Sequence, residues 1–247
     1  MSRRNPEATK MGRYTFSIMM VILKRAFDLV VATLVILGVL SWLLPLLAWL
    51  IKRDSPGPVF FVQKRVGKGG KLFACCKLRT MVVNPHADQH PVLSDDARIT
   101  PFGSWLRLSH LDELPQFFNV FLGSMSVVGP RPYMPADCRR FSAIVPETAF
   151  REKVPPGITG MSQSKGLHGI VCDRSTIFQR YHWDAYYVDN AGFGLDMQIL
   201  WTTFLHLLPR RRRRVSASGS PSAASDRISV LHLEKRKAPV PYYHDHK

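Results

Sequence analysis

Residues 29–51 read LVVATLVILGVLSWLLPLLAWLI, a run without a single charged side chain. About 20 apolar residues in a helix cover the hydrocarbon core of a bilayer, so this run predicts a membrane-inserted helix. A cleavable signal peptide has a shorter apolar region, of about 7 to 15 residues, and a small-residue cleavage pattern after it. No such pattern precedes Lys52, which indicates a lasting membrane attachment.

The apolar run has basic residues on both sides, so the charge asymmetry that orients a crossing helix is missing. These flanking residues are Lys24, Arg25, Lys52 and Arg53. Pro45 lies inside the run and removes a helical hydrogen bond, and the Ser41 hydroxyl is placed to bond a backbone group near that break. We therefore predict a bent, re-entrant helix hairpin with its break at Ser41 and Pro45. A proline-kinked helix that crosses the bilayer is the alternative.

Three charged residues, Lys24, Arg25 and Asp28, lie at the start of the apolar run. They are either interface anchors, with Arg25 and Asp28 paired at i, i+3, or ligands of a lipid phosphate. Under both interpretations Asp28 needs a partner, because an unpaired charge beside hydrocarbon is costly.

Composition and charge limit the class of protein. With 247 residues, 46% of them hydrophobic, and a mean hydropathy of −0.05, the chain suits one core domain and not a polytopic membrane protein. A net charge of +16 favours anionic partners, which include nucleic acid, anionic lipid headgroups and phosphorylated small molecules. The four cysteines contain no C-x-x-C pair, which favours a reducing, cytosol-facing environment.

Changes in composition divide the chain into four segments. We predict a partly disordered N-terminal segment, a re-entrant membrane helix, a cytosolic domain with interfacial helices, and a disordered basic tail with five consecutive arginines; their ranges are 1–23, 24–53, 54–208 and 209–247. Within the third segment, the apolar run 195–208 predicts a helix with Trp201 and Phe204 in the headgroup region.

Two short β-branched and aromatic runs, 59–63 and 72–79, flank a Lys/Gly-rich turn and predict a β-hairpin. We therefore expect an α+β protein. It combines a re-entrant N-terminal membrane helix hairpin with a small, mostly helical cytosolic catalytic domain that contains this short β-hairpin.

Asp112 and Glu113 form an adjacent acidic pair in this basic chain. The apolar stripe Leu114, Phe117, Phe118 and Phe121 predicts an amphipathic helix that ends at Gly123. If Asp112 caps that helix, Pro115 falls in the first turn, where its missing N–H costs nothing. The pair is then either an ordinary helix cap, contributing about 1 kcal/mol, or a site of chemistry.

Two Gly/Pro-rich loops follow, Val128–Pro132 and Pro155–Gly160, and the first carries Arg131. An arginine fork pairs bidentately with phosphate oxygens, and tight loops expose backbone N–H groups to an anion. We expect these loops to form a phosphate site near the acidic pair.

The chain resembles the bacterial sugar transferases, also called monotopic phosphoglycosyl transferases, from about Lys24 to Leu208. The motifs that carry this resemblance are KRAFDL (24–29), DSPGPVFFVQKRVG (54–67), KLRTM (77–81), LDELPQFFNVFLGSMSVVGPRP (111–132), PGITG (156–160) and DAYYV (184–188).

The resemblance implies an enzyme on the cytoplasmic face of the inner membrane that moves a hexose-1-phosphate from a UDP-hexose to undecaprenyl phosphate. It implies that Asp112 is the nucleophile that forms an aspartyl-phosphosugar intermediate and that Glu113 is a ligand of Mg²⁺. It also implies a place in exopolysaccharide, capsule or O-antigen synthesis, contacts with membrane lipids, and a possible homodimer; nucleic acid is not an expected partner.

The remaining candidates for binding substrate or phosphate are Arg131, Lys77, Arg79, Arg107, Gln163 and Arg180. The chain departs from the usual family pattern at His110, at Ser124 and at Gly166-Leu167-His168-Gly169, so recognition of the donor is expected to differ. Family members often carry further membrane helices ahead of the core, and we expect this chain to be the minimal catalytic unit.

Two other functions stay open from the residues alone. In the first, the protein is a catalytically silent membrane scaffold for polysaccharide assembly, and the acidic pair only caps a helix. In the second, it is a membrane-tethered nucleic-acid binder that uses the arginine tail, although recognition aromatics are not interleaved with those arginines. The sequence does not identify the sugar, because hexose epimers differ by one hydroxyl.

Overall fold

The apolar run forms part of a long helical segment at the start of the chain. In the computed structural model, which describes residues 6–83, 96–167 and 174–207, helix α1 (Pro6–Val35) leads through a π-helical turn (Ile36–Leu40) into helix α2 (Ser41–Asp54). The helix begins well before the predicted start at residue 24, because Pro6 occupies its first turn and no further proline follows until Pro45. It thus includes part of the segment for which disorder was predicted.

The π-helical turn accommodates the break that the sequence predicted at Ser41 and Pro45. The Ser41 N–H donates to the Ile36 carbonyl, and the Ser41 hydroxyl donates to the Leu37 carbonyl at 2.6 Å. The predicted bond from this hydroxyl to the backbone is therefore confirmed. A hairpin is not confirmed, because the chain stays helical from Pro6 to Asp54, with Pro45 inside α2.

Both ends of the apolar segment pack on the rest of the protein, and between them Leu40 is buried while many of its neighbours are exposed. Within the described part of the chain, one helix, Met19–Asp54, is long and apolar enough to cross a membrane. Ala32 is buried in the main core, and Leu47 and Ile51 pack with Leu78 and Leu106. The side chains between these ends are largely exposed, among them Leu34, Leu37 and Trp42.

The predicted β-hairpin is confirmed. Strands β1 (Phe60–Val66) and β2 (Leu72–Leu78) pair antiparallel, with Phe61 opposite Lys77 and Val66 opposite Leu72. The turn between them has two glycines, Gly69 and Gly70, in the left-handed region at φ 65° and 72°, where a side chain is disfavoured. This hairpin places Lys77 beside the acidic pair.

Two short helices follow the hairpin, separated by the turn that carries the acidic pair. Helix α3 (Pro101–Leu108) begins where the Thr100 hydroxyl accepts the Gly103 N–H at 3.0 Å. A 3₁₀ turn (Leu111–Glu113) then leads to helix α4 (Gln116–Leu122), which ends at the left-handed Gly123 as predicted.

The predicted apolar face of α4 is not the face that it buries. Gln116, Asn119 and Val120 are buried, whereas Phe118 and Phe121 are exposed. The reason lies in Asn119, whose amide donates to the Ala74 carbonyl at 2.8 Å and whose oxygen accepts the Cys76 N–H at 3.0 Å. These two bonds tie the polar face of α4 to the edge of β2.

The two Gly/Pro loops lie side by side. Strand β3 (Ser126–Val128) pairs parallel with strand β4 (Gly157–Thr159), and each strand joins one loop. A Cβ on Gly129 would lie 2.4 Å from the Pro155 carbonyl oxygen, and one on Gly160 would lie 2.2 Å from the Gly129 carbonyl oxygen. Only glycine permits this close approach of the two backbones.

Helices and one 3₁₀ segment complete the described chain. They are α5 (Pro135–Ser142), the 3₁₀ segment Pro146–Lys153, α6 (Met161–Ser164), α7 (Arg174–Asn190) and α8 (Phe193–Leu207). Helix α8 confirms the helix predicted over 195–208, and its Trp201 and Phe204 are exposed. Cys75, Cys76 and Cys138 are free thiols. The mixture of helices and short strands agrees with the α+β prediction, and the predicted tail at 209–247 lies outside the described residues.

Candidate active site

The acidic pair lies in the 3₁₀ turn ahead of α4, and Asp112 does not cap that helix. Pro115 occupies the position before α4, and the Leu114 N–H donates to the Leu111 carbonyl at 3.3 Å. The preceding residue, His110, adopts a left-handed conformation with φ 56°, which turns the chain sharply out of α3. The predicted cap is therefore wrong, because the turn closes with backbone bonds and leaves the Asp112 carboxylate available for other contacts.

Glu113 is the centre of an ion-pair cluster. Its Oε1 lies 2.7 Å from both Lys77 Nζ and Arg131 Nη2, and its Oε2 lies 3.4 Å from Arg131 Nη1. Burial by itself raises the pKa of Glu113, but the charges and hydrogen bonds of Arg131 and Lys77 outweigh burial and hold that pKa well below its usual range. The same pairing raises the pKa of Arg131. Glu113 is therefore a permanent anion.

Asp112 has the opposite environment. Burial raises its pKa, and the charge of Glu113 adds to that effect, while Lys77, Arg107 and Arg131 oppose it. Two neighbouring carboxylates with opposed shifts can take different chemical roles. Glu113 organises the cations, and Asp112 is the less stabilised, more basic carboxylate of the two.

Arg107 joins this group from helix α3. Its Nε donates to the Thr80 hydroxyl at 2.8 Å, and its charge acts on Asp112. Burial lowers the pKa of Arg107, although Asp112 opposes the shift. Of the predicted phosphate ligands, the structure thus brings Lys77, Arg107 and Arg131 together around the acidic pair.

Arg131 sits on a main chain that is fixed at four consecutive carbonyls. The carbonyls of Pro130, Arg131, Pro132 and Tyr133 accept hydrogen bonds from Gly157 N at 3.0 Å, Arg151 Nη2 at 2.7 Å, Arg65 Nη1 at 3.2 Å and Val66 N at 3.0 Å, respectively. The Gly129 N–H also donates, to the Thr159 carbonyl at 2.9 Å. Our expectation that backbone amides in both loops face an anion is wrong for Gly129 and Gly157, whose N–H groups join the two loops to each other.

Three predicted substrate ligands lie elsewhere. Arg79 is buried and donates to Ser55, Pro56 and Pro58 at 2.6–3.0 Å, so its guanidinium fixes the turn after α2. Gln163 is buried and donates to the Ile158 carbonyl, and Arg180 is buried beside the Tyr133 hydroxyl. Sequence motifs alone do not distinguish buried polar residues of this kind from residues that bind substrate.

The charged residues at the start of the membrane helix bind the protein itself. Asp28 accepts from the Ser126 hydroxyl at 3.1 Å and from the Val127 N–H at 2.9 Å, which confirms that it has a partner. Arg25 donates to the Val120 and Phe121 carbonyls at 2.7 and 2.9 Å. Among the described ion pairs there is none between Arg25 and Asp28, so the predicted i, i+3 pair is wrong; each side chain reaches a different element instead.

Lys24 completes the junction between the membrane helix and the domain. Its Nζ lies 2.6 Å from Asp196 Oδ2 and donates to the Val128 carbonyl at 3.0 Å. In this arrangement its ammonium group holds α1, β3 and α8 together. A protein contact thus replaces the lipid phosphate that one interpretation of the sequence assigned to it.

Sequence reasoning missed Arg151, which donates to the Arg131 carbonyl and pairs with Asp184 of the DAYYV motif at 2.9 Å. A single arginine in a polar segment carries no local signal of this role.

The described residues contain no group of three or more His, Cys, Asp or Glu side chains that could hold a metal ion. Mg²⁺ needs only one or two carboxylates when substrate phosphates supply further oxygens.

Comparisons with known proteins show what the whole chain is similar to. The model of the family described as bacterial sugar transferase matches residues 19–210. The chain is 39% identical over 195 residues to the UDP-glucose:undecaprenyl-phosphate glucose-1-phosphate transferase of Xanthomonas campestris pv. campestris, covering 77% of this chain and 40% of that relative. It is 41% identical over 194 residues to the exopolysaccharide production protein PSS of Rhizobium leguminosarum bv. phaseoli, covering 76% and 96%.

A third relative carries a different sugar in its name. The UDP-N-acetylgalactosamine-undecaprenyl-phosphate N-acetylgalactosaminephosphotransferase of Aeromonas hydrophila is 38% identical over 187 residues, covering 75% of this chain and 44% of that protein. The chain thus spans about two fifths of the Xanthomonas and Aeromonas relatives and nearly all of the Rhizobium one.

Proposed function

The chain belongs to the bacterial sugar transferase family, and from that premise we propose that it transfers a hexose-1-phosphate from a UDP-hexose to undecaprenyl phosphate. The products are undecaprenyl diphosphate-hexose and UMP. The relatives' names support both the donor and the acceptor class, and the Rhizobium relative's name supports a place in exopolysaccharide production. Capsule and O-antigen synthesis use the same type of lipid-linked sugar and stay within the proposal.

The observation that carries the proposal is the arrangement of charges around Asp112. Lys77 and Arg131 hold Glu113, and Arg107 approaches from α3, so three cations face two carboxylates. This surplus of positive charge suits the diphosphate of a nucleotide sugar, and it lowers the repulsion that an attacking carboxylate meets.

The chemistry proceeds in two displacements at phosphorus. A carboxylate oxygen of Asp112 attacks the β-phosphorus, the bond from that phosphorus to the oxygen bridging to the α-phosphate breaks, and UMP leaves with the bridging oxygen. A phosphate oxygen of undecaprenyl phosphate then attacks the same phosphorus. The bond to Asp112 breaks, which restores the carboxylate and releases the lipid diphosphate-sugar.

We propose Mg²⁺ as the cofactor, held by Glu113 with oxygens of the donor diphosphate. The donor set fits this ion, because Glu113 Oε2 meets Arg131 only at 3.4 Å and keeps acceptor capacity. When bound, Mg²⁺ neutralises phosphate charge. Arg131 and Lys77 orient Glu113 and bind the remaining phosphate oxygens.

We also propose that the membrane helix is re-entrant and that the domain lies on the cytoplasmic face of the inner membrane. Asp28 near one end of the apolar segment contacts β3, and Ile51 near the other end packs on Leu78 and Leu106 of the same domain. A helix that crossed a bilayer straight would hold these two ends on opposite sides of it. Exposed Phe118, Phe121, Trp201 and Phe204 suit contact with membrane lipids, and a homodimer stays a prediction.

Asp112→Asn tests the proposal directly. With a panel of UDP-hexoses and undecaprenyl phosphate, we expect wild-type protein in detergent to release UMP and Asp112→Asn to release less than about one thousandth as much, since the nucleophile is lost. Mass spectrometry of proteolytic peptides from wild type incubated with donor alone should show a hexose-phosphate adduct on the peptide containing residue 112.

The matched control is Asp189→Asn, an exposed aspartate on α7 that should keep wild-type turnover. Undiminished UMP release from Asp112→Asn would disprove the assignment of the nucleophile. A wild type that releases no UMP from any donor in the panel would disprove the proposed reaction. The panel also identifies the sugar, which neither the fold nor the relatives' differing names decide.

A further inference from the structure

The donor to the Arg131 carbonyl differs from the other three donors that fix the Pro130–Tyr133 main chain. Those three come from strands β1 and β4: two are main-chain N–H groups, and the third is the side chain of Arg65 on β1. The fourth is the side chain of Arg151, from the 3₁₀ segment Pro146–Lys153. About 2 kcal/mol of rotamer entropy opposes the ordering of an arginine side chain. Arg151 can therefore hold the Arg131 carbonyl in place only if other contacts order its own side chain.

Arg151 is fixed from two further directions. Its Nε lies 2.9 Å from Asp184 Oδ2 on helix α7, and its Cζ lies 4.3 Å from the centre of the Tyr133 ring. The Asp184 side chain is 2% exposed and that of Arg151 is 13% exposed. These contacts hold the planar guanidinium between Asp184 and the Tyr133 ring, with Nη2 donating to the Arg131 carbonyl at 2.7 Å.

We propose that Asp184 is a positioning residue for Arg131, acting through Arg151. The connected contacts run from Asp184 to Arg151, from Arg151 to the Arg131 main chain, and from the Arg131 guanidinium to Glu113. This inference rests on the proposed function, in which Arg131 binds donor phosphate. Asp184, the first residue of the DAYYV motif, would then have an indirect role in the reaction. In the described contacts it touches neither Asp112 nor Glu113.

A purely structural role explains this ion pair less well. Burying a carboxylate and a guanidinium costs much of what their attraction returns, so such pairs are weak stabilisers compared with apolar residues. What the pair supplies is direction, since the guanidinium fork offers several donors in one rigid plane. One edge of that plane meets Asp184, and Nη2 serves the Arg131 carbonyl.

Two substitutions weaken the connection at different points. Asp184→Asn removes the charge that orients Arg151, and Arg151→Lys keeps a cation but removes the planar fork. We expect each to lower kcat/KM for the best UDP-hexose about 10- to 100-fold, because a small displacement of a positioned group has that scale of effect. The double variant Asp184→Asn/Arg131→Lys should lose no more than Arg131→Lys alone.

Asp196→Asn is the matched control, because Asp196 is an equally buried carboxylate that pairs with a lysine on another helix. It should lower the Tm while leaving kcat/KM per folded molecule close to wild type. If Asp184→Asn behaves like this control, or if its loss adds fully to that of Arg131→Lys, the proposal is overturned. If Asp184→Asn does not fold, Arg151→Lys and its double variant with Arg131→Lys decide the question by the same criteria.

A substrate-free measurement separates this inference from the proposed function. In full-length protein labelled with ¹⁵N-arginine in detergent, the Arg131 side-chain signal is assigned by its disappearance in Arg131→Lys. We expect Asp184→Asn to shift or broaden that signal and Asp196→Asn to leave it in place. If wild type lacks turnover, the proposed function fails and this spectrum alone decides the inference; an unchanged Arg131 signal in Asp184→Asn overturns it.

Discussion

Two lysine–carboxylate pairs in this protein have nearly the same length and serve different purposes. Lys24 lies 2.6 Å from Asp196 at the junction of the membrane helix with the domain, and Lys77 lies 2.7 Å from Glu113 in the candidate active site. At the junction, the second Asp196 oxygen accepts from the Tyr187 hydroxyl at 2.9 Å. The lysine charge there balances the carboxylate charge, and the neutral hydroxyl donates a hydrogen bond to the second carboxylate oxygen.

The candidate active site is not balanced in this way. Glu113 receives a second cation, Arg131, and its neighbour Asp112 stays close to Lys77, Arg107 and Arg131. Solvent reaches both clusters, since the Arg131 side chain is 33% exposed and the Lys24 side chain is 24% exposed. The surplus of positive charge, more than exposure, therefore distinguishes the candidate active site from the junction.

Removing the Glu113 charge should produce the largest effect on this comparison. We expect Glu113→Gln to lower kcat/KM about 100- to 1,000-fold, the scale seen when one preorganised electrostatic group is lost. The Tm should fall as well, because Lys77 and Arg131 lose their counter-charge even though the amide oxygen can still accept from them. UMP release and thermal unfolding of the same preparation check both parts, and activity within tenfold of wild type would contradict the role given to Glu113.

Removing the Asp196 charge should lower the stability without lowering the turnover. Asp196→Asn leaves the partly buried Lys24 ammonium without its counter-charge, and we expect stability to fall by about 1 to 3 kcal/mol. Turnover per folded molecule should persist, since Asp28 still holds β3 through the Ser126 hydroxyl and the Val127 N–H. Tm and active-fraction measurements in one detergent test this; a variant with normal Tm would show that the junction does not depend on the pair.

High pH should weaken the junction by a smaller amount. Burial raises the pKa of Tyr187 far above its usual range, and the charge and hydrogen bond of Asp196 add to the shift. Because the folded state then holds a proton that the unfolded state loses above about pH 10, stability falls as pH rises past that value, by about 1.4 kcal/mol per pH unit.

Tyr187→Phe isolates the contribution of this hydroxyl. The variant is expected to be less stable at neutral pH, because Asp196 loses a donor, but its Tm should decline less steeply between pH 9 and 11 than that of wild type. Equal slopes in the two proteins would show that Tyr187 is not protonated differently in the folded and unfolded states.

Local patterns predicted the elements whose partners are close in sequence. The uncharged run gave the membrane helix, the two short runs around the Lys/Gly turn gave the β1–β2 hairpin, and the Ser41 hydroxyl bonds the backbone four residues earlier as expected. These features depend on helix or strand period and on neighbouring residues, and both can be seen in a sequence. The acidic pair and the GPRP arginine were also identifiable from their motifs.

Features that depend on distant contacts could not be predicted. The buried face of α4 follows from the bonds of Asn119 to β2, 43 and 45 residues away in sequence. Arg79 resembled a phosphate ligand but fixes the turn at Ser55, and Arg151 gave no signal although it reaches Arg131. In each case the polar side chain has many possible hydrogen-bond partners in the sequence. The partner that it binds depends on which groups the tertiary structure brings within reach.

The fastening of the membrane helix at both ends has a consequence for a lipid acceptor. Asp28 and Ile51 attach the two ends to the domain that carries Asp112, so in the proposed reaction the depth of the apolar segment in lipid also sets the height of Asp112 above the bilayer. The headgroup of an isoprenoid phosphate stays at a nearly constant depth. With the acceptor that we propose, the search for it is then two-dimensional, because the helix already determines the third dimension.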